Sequence, residues 1–398
     1  MKSNSLVDWL DYIDLNRPKE EEFGLKRLHP IRDIILQSTL AEKTVVIGGT
    51  NGKGTSAEFL NNLLIESNFK VGLYTSPHLF NFNERIRIDG LPVSDAEIIE
   101  AFEEIERIKK DIKLTYFDYA TLAAFIIFTK NILDVVILEI GLGGRYDPVN
   151  LVDSDIAILT NVELDHQKWL GNTREQIGKE KSAIFRDDKT IIMGSNNMPS
   201  TVMEKVEELN SKVLQLDIDF FTSEINTNNL NKESVACSIA AYKEITDLKV
   251  DFNEILRNTS LLGRCDVNNK FILDVSHNLA SVVNLVTFLN TEFQDKSIKA
   301  IVGLMKDKDI HEIIQEINDI ISEWYTCSPH MDRAMPANEL KKLILQETNN
   351  EVKAFETVDL AIKEALKQDD SDLVLVFGSF FTVSEAYESL SQLKQIEL

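Results

Sequence analysis

The stretch Val45-Val-Ile-Gly-Gly-Thr-Asn-Gly-Lys-Gly-Thr-Ser56 carries the strongest architectural signal in the chain. A β-branched run ends at Ile47, a loop holding four glycines follows, and apolar residues then recur at Phe59, Leu60, Leu63 and Leu64 with helical spacing. Glycines let a backbone wrap around a phosphate, and the free N–H groups at the start of a helix stabilise its negative charge. Lys53 is placed to reach the terminal phosphates, and Thr55 or Ser56 offers a hydroxyl for phosphate or metal. The spacing is not the standard phosphate-loop form, because Gly54 separates the lysine from the hydroxyl. A plain Gly-rich turn is the competing reading, but the order of strand, glycines, lysine, hydroxyl and helix favours a nucleoside-triphosphate site.

Outward from this loop, apolar bursts alternate with helical patterns, which predicts an α/β architecture with mostly parallel sheets. Strands are expected at residues 44–47, 71–74, 133–139, 156–160 and 190–193, and a second series at 271–275, 299–304, 323–327, 351–355 and 373–378. Thr173 and Gln176 resemble a capping box for a helix over 173–184. The irregular polar stretch 258–270 separates the two series, so a nucleotide-binding domain is expected over 1–264 and a smaller Rossmann-like domain over 265–398. A chain of 398 residues is too long for one compact core, in keeping with that division.

Composition narrows the function classes. The formal net charge is −23, a sign opposed to general nucleic-acid binding. An anionic ligand therefore needs a local site of backbone amides, a lysine or a metal ion. Cys237, Cys265 and Cys327 are odd in number and show no CxxC spacing, against a disulfide framework or structural zinc. The apolar run at 133–138 is short and contains Asp134, and residues 7–15 are acidic and amphipathic rather than a signal sequence. A soluble cytoplasmic protein without nucleic-acid or membrane partners is expected.

Further polar residues fall at expected strand ends, where doubly wound folds place ligands. Ser76 follows residues 71–74, Glu139 closes 133–138, and His166 follows 156–160. Their hydroxyl, carboxylate and imidazole suit Mg²⁺ arriving with ATP phosphates. Taken singly, a carboxylate, a histidine or the helical Lys181 is more often structural, and Lys181 reads as an ordinary surface lysine on its own chemistry.

Gly49-Thr-Asn-Gly-Lys-Gly-Thr55, Tyr74-Thr-Ser-Pro-His-Leu79, Glu84-Arg-Ile-Arg87, Leu138-Glu-Ile-Gly-Leu-Gly-Gly-Arg145, Leu164-Asp-His166, Trp169-Leu-Gly171, Glu180-Lys181, Leu262-Gly-Arg264, Asp274-Val-Ser-His-Asn278 and Gly378-Ser379 occur in the order seen in the folylpolyglutamate synthase family of the Mur ligase superfamily, which the chain resembles along nearly its whole length. Leu114-Thr-Tyr-Phe-Asp-Tyr119 and Met305-Lys-Asp-Lys-Asp-Ile310 resemble its bacterial bifunctional dihydrofolate synthase branch. The resemblance implies ATP-dependent amide ligation of L-glutamate onto dihydropteroate and tetrahydrofolate through an acyl phosphate. It assigns Thr50, Asn51, Gly52, Lys53, Gly54, Thr55, Ser234, Arg264, Asp274 and His277 to ATP. Ser76 and Glu139 resemble ligands of one Mg²⁺ and His166 of a second, with a monovalent cation as a further cofactor. Lys181 matches a lysine carboxylated by CO₂. Leu15, Asn16, Arg17, Pro18, Thr115, Tyr116, Phe117, Asp118, Tyr146, Asp147 and Pro148 match the pterin site, and a monomer is expected.

The chain departs from the family pattern at Tyr146, Pro148, Ser234 and Leu279. Two other readings stay open: a Mur-type ligase acting on a cell-wall precursor, which would usually carry an N-terminal domain for the nucleotide that the stretch before residue 49 is expected to be too short to form, and a catalytically silent nucleotide-binding scaffold.

Overall fold

The computed structural model describes residues 5–16, 24–227, 229–294, 296–367 and 373–396. It divides into two compact units, residues 1–227 with 231–259 and residues 228–230 with 260–398. Residues 260–264 thus group with the second unit.

The first unit is built on an eight-stranded sheet: β1 (Lys43–Gly48), β2 (Val71–Tyr74), β3 (Ile86–Ile88), β4 (Leu91–Pro92), β5 (Val135–Glu139), β6 (Ile156–Leu159), β7 (Thr190–Met193) and β8 (Lys212–Gln215), in the order β4-β3-β2-β5-β1-β6-β7-β8. The six strands from β2 to β8 run parallel, and β3 and β4 add an antiparallel edge. Every residue of β2, β5 and β6 is buried, as expected for parallel strands covered on both faces. Register places Ile47 of β1 beside Glu139 of β5, and Gly48 beside Leu159 of β6. The ends of β2, β5, β1 and β6 therefore lie side by side, although the chain visits them far apart in sequence.

The helix Lys53–Glu66 buries Phe59, Leu60, Leu63 and Leu64, each contributing about 2 kcal/mol by removal from water. Its other face meets the helix Lys232–Ile245 through small hydroxyls. Ser56 Oγ donates to the Ser234 carbonyl at 3.1 Å, and Ser238 Oγ donates to the Ser56 carbonyl at 2.9 Å. Small side chains let the two backbones approach, and each buried hydroxyl keeps a partner.

The expected helix over 173–184 ends earlier, at Lys181, and continues as a 3₁₀ turn over Ser182–Ile184. Thr173 caps it, accepting from the Gln176 N–H at 3.3 Å. Gln176 does not close the box on Thr173; its Oε1 accepts from the Asn172 N–H at 2.7 Å, one residue earlier.

The second unit carries a six-stranded sheet of β9 (Asp266–Asn268), β10 (Phe271–Asp274), β11 (Ile298–Val302), β12 (Ile321–Cys327), β13 (Glu351–Phe355) and β14 (Leu373–Phe377), ordered β13-β12-β11-β14-β10-β9. All pairs are parallel except β9 with β10. Ile272, Ala300, Val302, Trp324, Leu375 and Phe377 centre its core. The sequence reading omits β3, β4, β8 and β9, which are two to four residues long and lie at or next to sheet edges. Such strands lack the apolar burst that marks a buried one. Among the described residues no helix is long and apolar enough to cross a membrane.

Candidate active site

The loop after β1 folds back on itself. Gly49 has φ +144° and Gly52 φ +83°, both in the region that favours glycine. A Cβ on Gly49 would overlap Thr160 Oγ1, and one on Gly52 would overlap Ser234 Oγ. We expect Gly52→Ala to lower the melting temperature by several degrees and to weaken nucleotide binding together, since strain and overlap act on the same loop. Thermal unfolding with and without ATP measures both.

The segment after β6 fixes the loop from one side. Thr50 N–H donates to the Asn161 carbonyl at 3.1 Å, Asn51 N–H to Asn161 Oδ1 at 3.0 Å, and Thr160 Oγ1 to the Asn51 carbonyl at 2.7 Å. Thr50 Oγ1 also accepts from the Glu163 N–H at 3.0 Å. Thr160 and Asn161 were not among the residues expected from sequence; their signal is that they follow β6 at once. The N-terminus of the helix at Lys53 completes an anion-favouring turn. Thr55 is buried in the first helical turn.

Two lysines converge on one carbonyl of this loop. Lys53 Nζ donates to the Gly49 carbonyl at 3.2 Å and the Thr50 carbonyl at 3.1 Å, while Lys181 Nζ donates to the Gly49 carbonyl at 2.7 Å. Lys181 is only 5% exposed, which rules out the surface-lysine reading. Burial first, and then the neighbouring Lys53 charge, lower its pKa to about 7 against the opposing pull of Asp165 and Asp147.

Glu139 is buried at the end of β5, and its Oε2 accepts the Ser76 N–H at 2.9 Å. The position a Gly54 Cβ would occupy lies 3.9 and 4.0 Å from the two Glu139 oxygens, so the carboxylate faces the first turn of the loop helix. A buried carboxylate bonded to the backbone of a serine offers hard oxygen donors of the kind that suit a small divalent cation keeping phosphate or water ligands. His166 takes the left-handed conformation (φ +50°), and its N–H donates to Asp165 Oδ1 at 2.8 Å. The sheet order β2-β5-β1-β6 brings together the strand ends that carry Ser76, Glu139, the loop and the His166 segment.

Ser234, matched to ATP by the resemblance, lies behind the phosphate loop. It is buried, its hydroxyl donates to Asn231 Oδ1 at 2.7 Å, and it backs Gly52. Arg264, Asp274 and His277 lie in the second unit. There the Arg264 guanidinium lies 5.2 Å from the Phe380 ring centre, and Asp274 accepts from the Cys265 and Ser276 N–H groups, both at 2.8 Å. His277 Nδ1 bonds the Val275 carbonyl at 2.8 Å.

The residues matched to a pterin site divide. Asp118 is buried in the capping box of the helix Tyr116–Thr129, its Oδ2 accepting from Thr115 N–H at 2.6 Å and from Arg27 Nη2 at 2.7 Å. The Phe117 ring covers Gly141. Asp147 accepts three backbone N–H groups, from Gly141, Leu142 and Val149, each at 2.9 Å, and so clamps the turn after β5. Burial nevertheless raises its pKa to about 7. Pro148 is buried behind it, whereas Tyr146 is 51% exposed. Leu15 ends the first helix in solvent and Asn16 caps it, Nδ2 donating to the Tyr12 carbonyl at 2.8 Å. Arg17 and Pro18 lie outside the described residues. Burial first, and then Arg85, lower the His78 pKa to about 4, so this imidazole is neutral.

Residues 47–272 match the family model described as the Mur ligase middle domain, and residues 263–380 match that of the Mur ligase, glutamate ligase domain. The chain is 35% identical over 417 residues to the dihydrofolate synthase/folylpolyglutamate synthase of Buchnera aphidicola subsp. Acyrthosiphon pisum, covering 96% of this chain and 98% of the relative. E. coli FolC, solved in complex with DHPP and ADP, superposes with a TM-score of 0.93 at 31% identity over 99% of both chains. A bifunctional folylpolyglutamate synthase/dihydrofolate synthase from Yersinia pestis, complexed with AMPPNP and Mn ion, gives a TM-score of 0.90 at 32% identity, covering 98% of this chain and 99% of that one.

Proposed function

The chain belongs to the dihydrofolate synthase/folylpolyglutamate synthase family of Mur ligases, and we propose from that premise how its own residues perform the ligation. It is an ATP-dependent ligase that adds L-glutamate to a pteroate or folate carboxyl group. The observation that carries the reading is the adjacency of four strand ends, which sets a lysine-bearing phosphate loop beside a buried carboxylate.

A carboxylate is a poor acyl donor. Transfer of the γ-phosphoryl group to an acceptor oxygen, with ADP leaving, makes that oxygen a leaving group. The glutamate amine then attacks the acyl carbon, the amine proton departs, and phosphate leaves as the amide forms. Two anions must approach for the first step, so charge neutralisation dominates the barrier. Lys53, the amides of residues 50–54 and the helix N-terminus perform it on the protein side. The metal, when bound, supplies further positive charge to the phosphate oxygens; we assign Ser76 and Glu139 to one Mg²⁺ and His166 to a second, with a monovalent cation as an additional cofactor.

Lys181 is assigned as a lysine modified by CO₂. That chemistry needs a neutral amine: nitrogen adds to the carbon of CO₂ and releases one proton. A pKa near 7 supplies a neutral fraction at physiological pH. Thr50, Asn51, Gly52, Gly54, Thr55, Ser234, Arg264, Asp274 and His277 are proposed as ATP contacts, Ser234 also backing the loop at Gly52. Thr115, Tyr116, Phe117, Asp118, Tyr146, Asp147 and Pro148 are proposed to hold the pterin, together with Leu15, Asn16, Arg17 and Pro18. The first unit is read as the ATP- and pterin-binding domain and the second as the glutamate ligase domain. The protein is further read as a cytoplasmic monomer that binds no nucleic acid.

Parallel assays with dihydropteroate and with tetrahydrofolate, each with ATP and labelled glutamate, test this function. Incorporation of label with phosphate release is expected for both acceptors. Release with neither acceptor would favour a silent scaffold.

A further inference from the structure

The motif Glu84-Arg-Ile-Arg87 has no role in the site described so far, yet it places a buried cation beside it. Arg85 ends the one-turn helix Phe82–Arg85 and is 8% exposed. Its guanidinium lies beside an edge-to-face pair of rings, 5.7 Å from the centre of Phe82 and 5.5 Å from that of Tyr116. Nε donates to His78 Nδ1 at 2.7 Å, and the backbone carbonyl accepts from Thr75 N–H at 3.0 Å.

No carboxylate among the described residues is paired with this guanidinium. The neighbouring Glu84 is engaged elsewhere, accepting from the N–H groups of Leu79, Phe80 and Asn81. Both terminal amino groups, Nη1 and Nη2, thus lack an acceptor among the described residues, and neither is sealed from solvent. A buried cation without a counter-charge is costly, and two aromatic faces offset only part of that cost. The two free N–H edges of a guanidinium match the geometry of a carboxylate.

Position selects which carboxylate. On one side, His78 and Thr75 lead to Ser76, whose N–H is bonded to Glu139. On the other, Tyr116 leads to Phe117 and Asp118, proposed above to hold the pterin. The reacting end of an aromatic acceptor would lie between the two.

We propose that Arg85 is the residue that binds the acceptor's carboxylate, orienting one oxygen toward the phosphoryl donor; this rests on the ligase reading above. The test is calorimetric titration of wild type, Arg85→Gln and Arg85→Lys with dihydropteroate and with its neutral carboxamide, alongside KM for L-glutamate and ATP. Arg85→Gln should weaken binding of the acid by on the order of 10- to 100-fold and change binding of the carboxamide by less than about twofold, because only the acid presents a charge to the fork. Arg85→Lys should fall between, retaining charge without the paired donors. If Arg85→Gln fails to fold, the Lys variant carries the comparison.

Equal losses for acid and carboxamide, or loss for neither, would overturn the assignment. So would a KM change confined to glutamate, which would move Arg85 to the incoming amino acid. A wild-type protein that binds neither probe would overturn the ligase reading and the assignment with it.

Discussion

Replacing Lys53 with alanine is expected to reduce ligation by about 10³-fold or more while leaving the fold intact. The ammonium group lies on the phosphate loop, donating to the Gly49 and Thr50 carbonyls. Its removal deletes positive charge where two anions must meet, but leaves the hydrogen bonds of Thr50, Asn51 and Asn161 that shape the loop. Steady-state phosphate release and thermal unfolding separate the two effects. Near-normal turnover with an unchanged melting temperature would show that the triphosphate is handled elsewhere.

Lys181 yields the opposite balance, with activity lost and stability gained. The native pKa of about 7 lies below the value of roughly 10.4 expected in an unfolded chain. Between those two values the unfolded state holds a proton that the native state has released. Stability therefore rises with pH across this window, and below about pH 7 the cost of burying the charge is present in full. Lys181→Met removes the titrating group and keeps a similar apolar volume. It should melt higher than wild type, most clearly below pH 7, with the difference vanishing toward pH 10. Turnover should fall by about two orders of magnitude or more, because no anion can form at that position. In Lys181→Ala, a short carboxylic acid such as acetate should restore part of the activity by occupying the vacated space. A fully active alanine variant would remove this lysine from the mechanism, and a Met variant with unchanged pH dependence would contradict the buried-charge argument.

Such trades are common where a site needs a group that the fold would otherwise reject. Arg85 belongs to the same class. Both basic side chains are buried within a strongly acidic chain, and neither declares itself by residue type alone.

The chain read alone makes the parallel α/β plan, the loop at residues 48–56 and most core strands legible. Those features follow from local periodicity and from the backbone freedom of glycine, which neighbours in the chain express directly. It also supplied the candidate residues Ser76, Glu139, His166 and Lys181, but only as separate points along the chain. Folding sets β5 and β6 on either side of β1 and so gathers those points. It also buries Lys181, turns the Ser234 hydroxyl toward Asn231 and sets Arg85 against a pair of rings. The physical reason is that strand order, burial and the counter-charge of a cation depend on residues far apart in the chain. A lysine reads the same in any sequence; its proton affinity is set by the groups that folding brings around it.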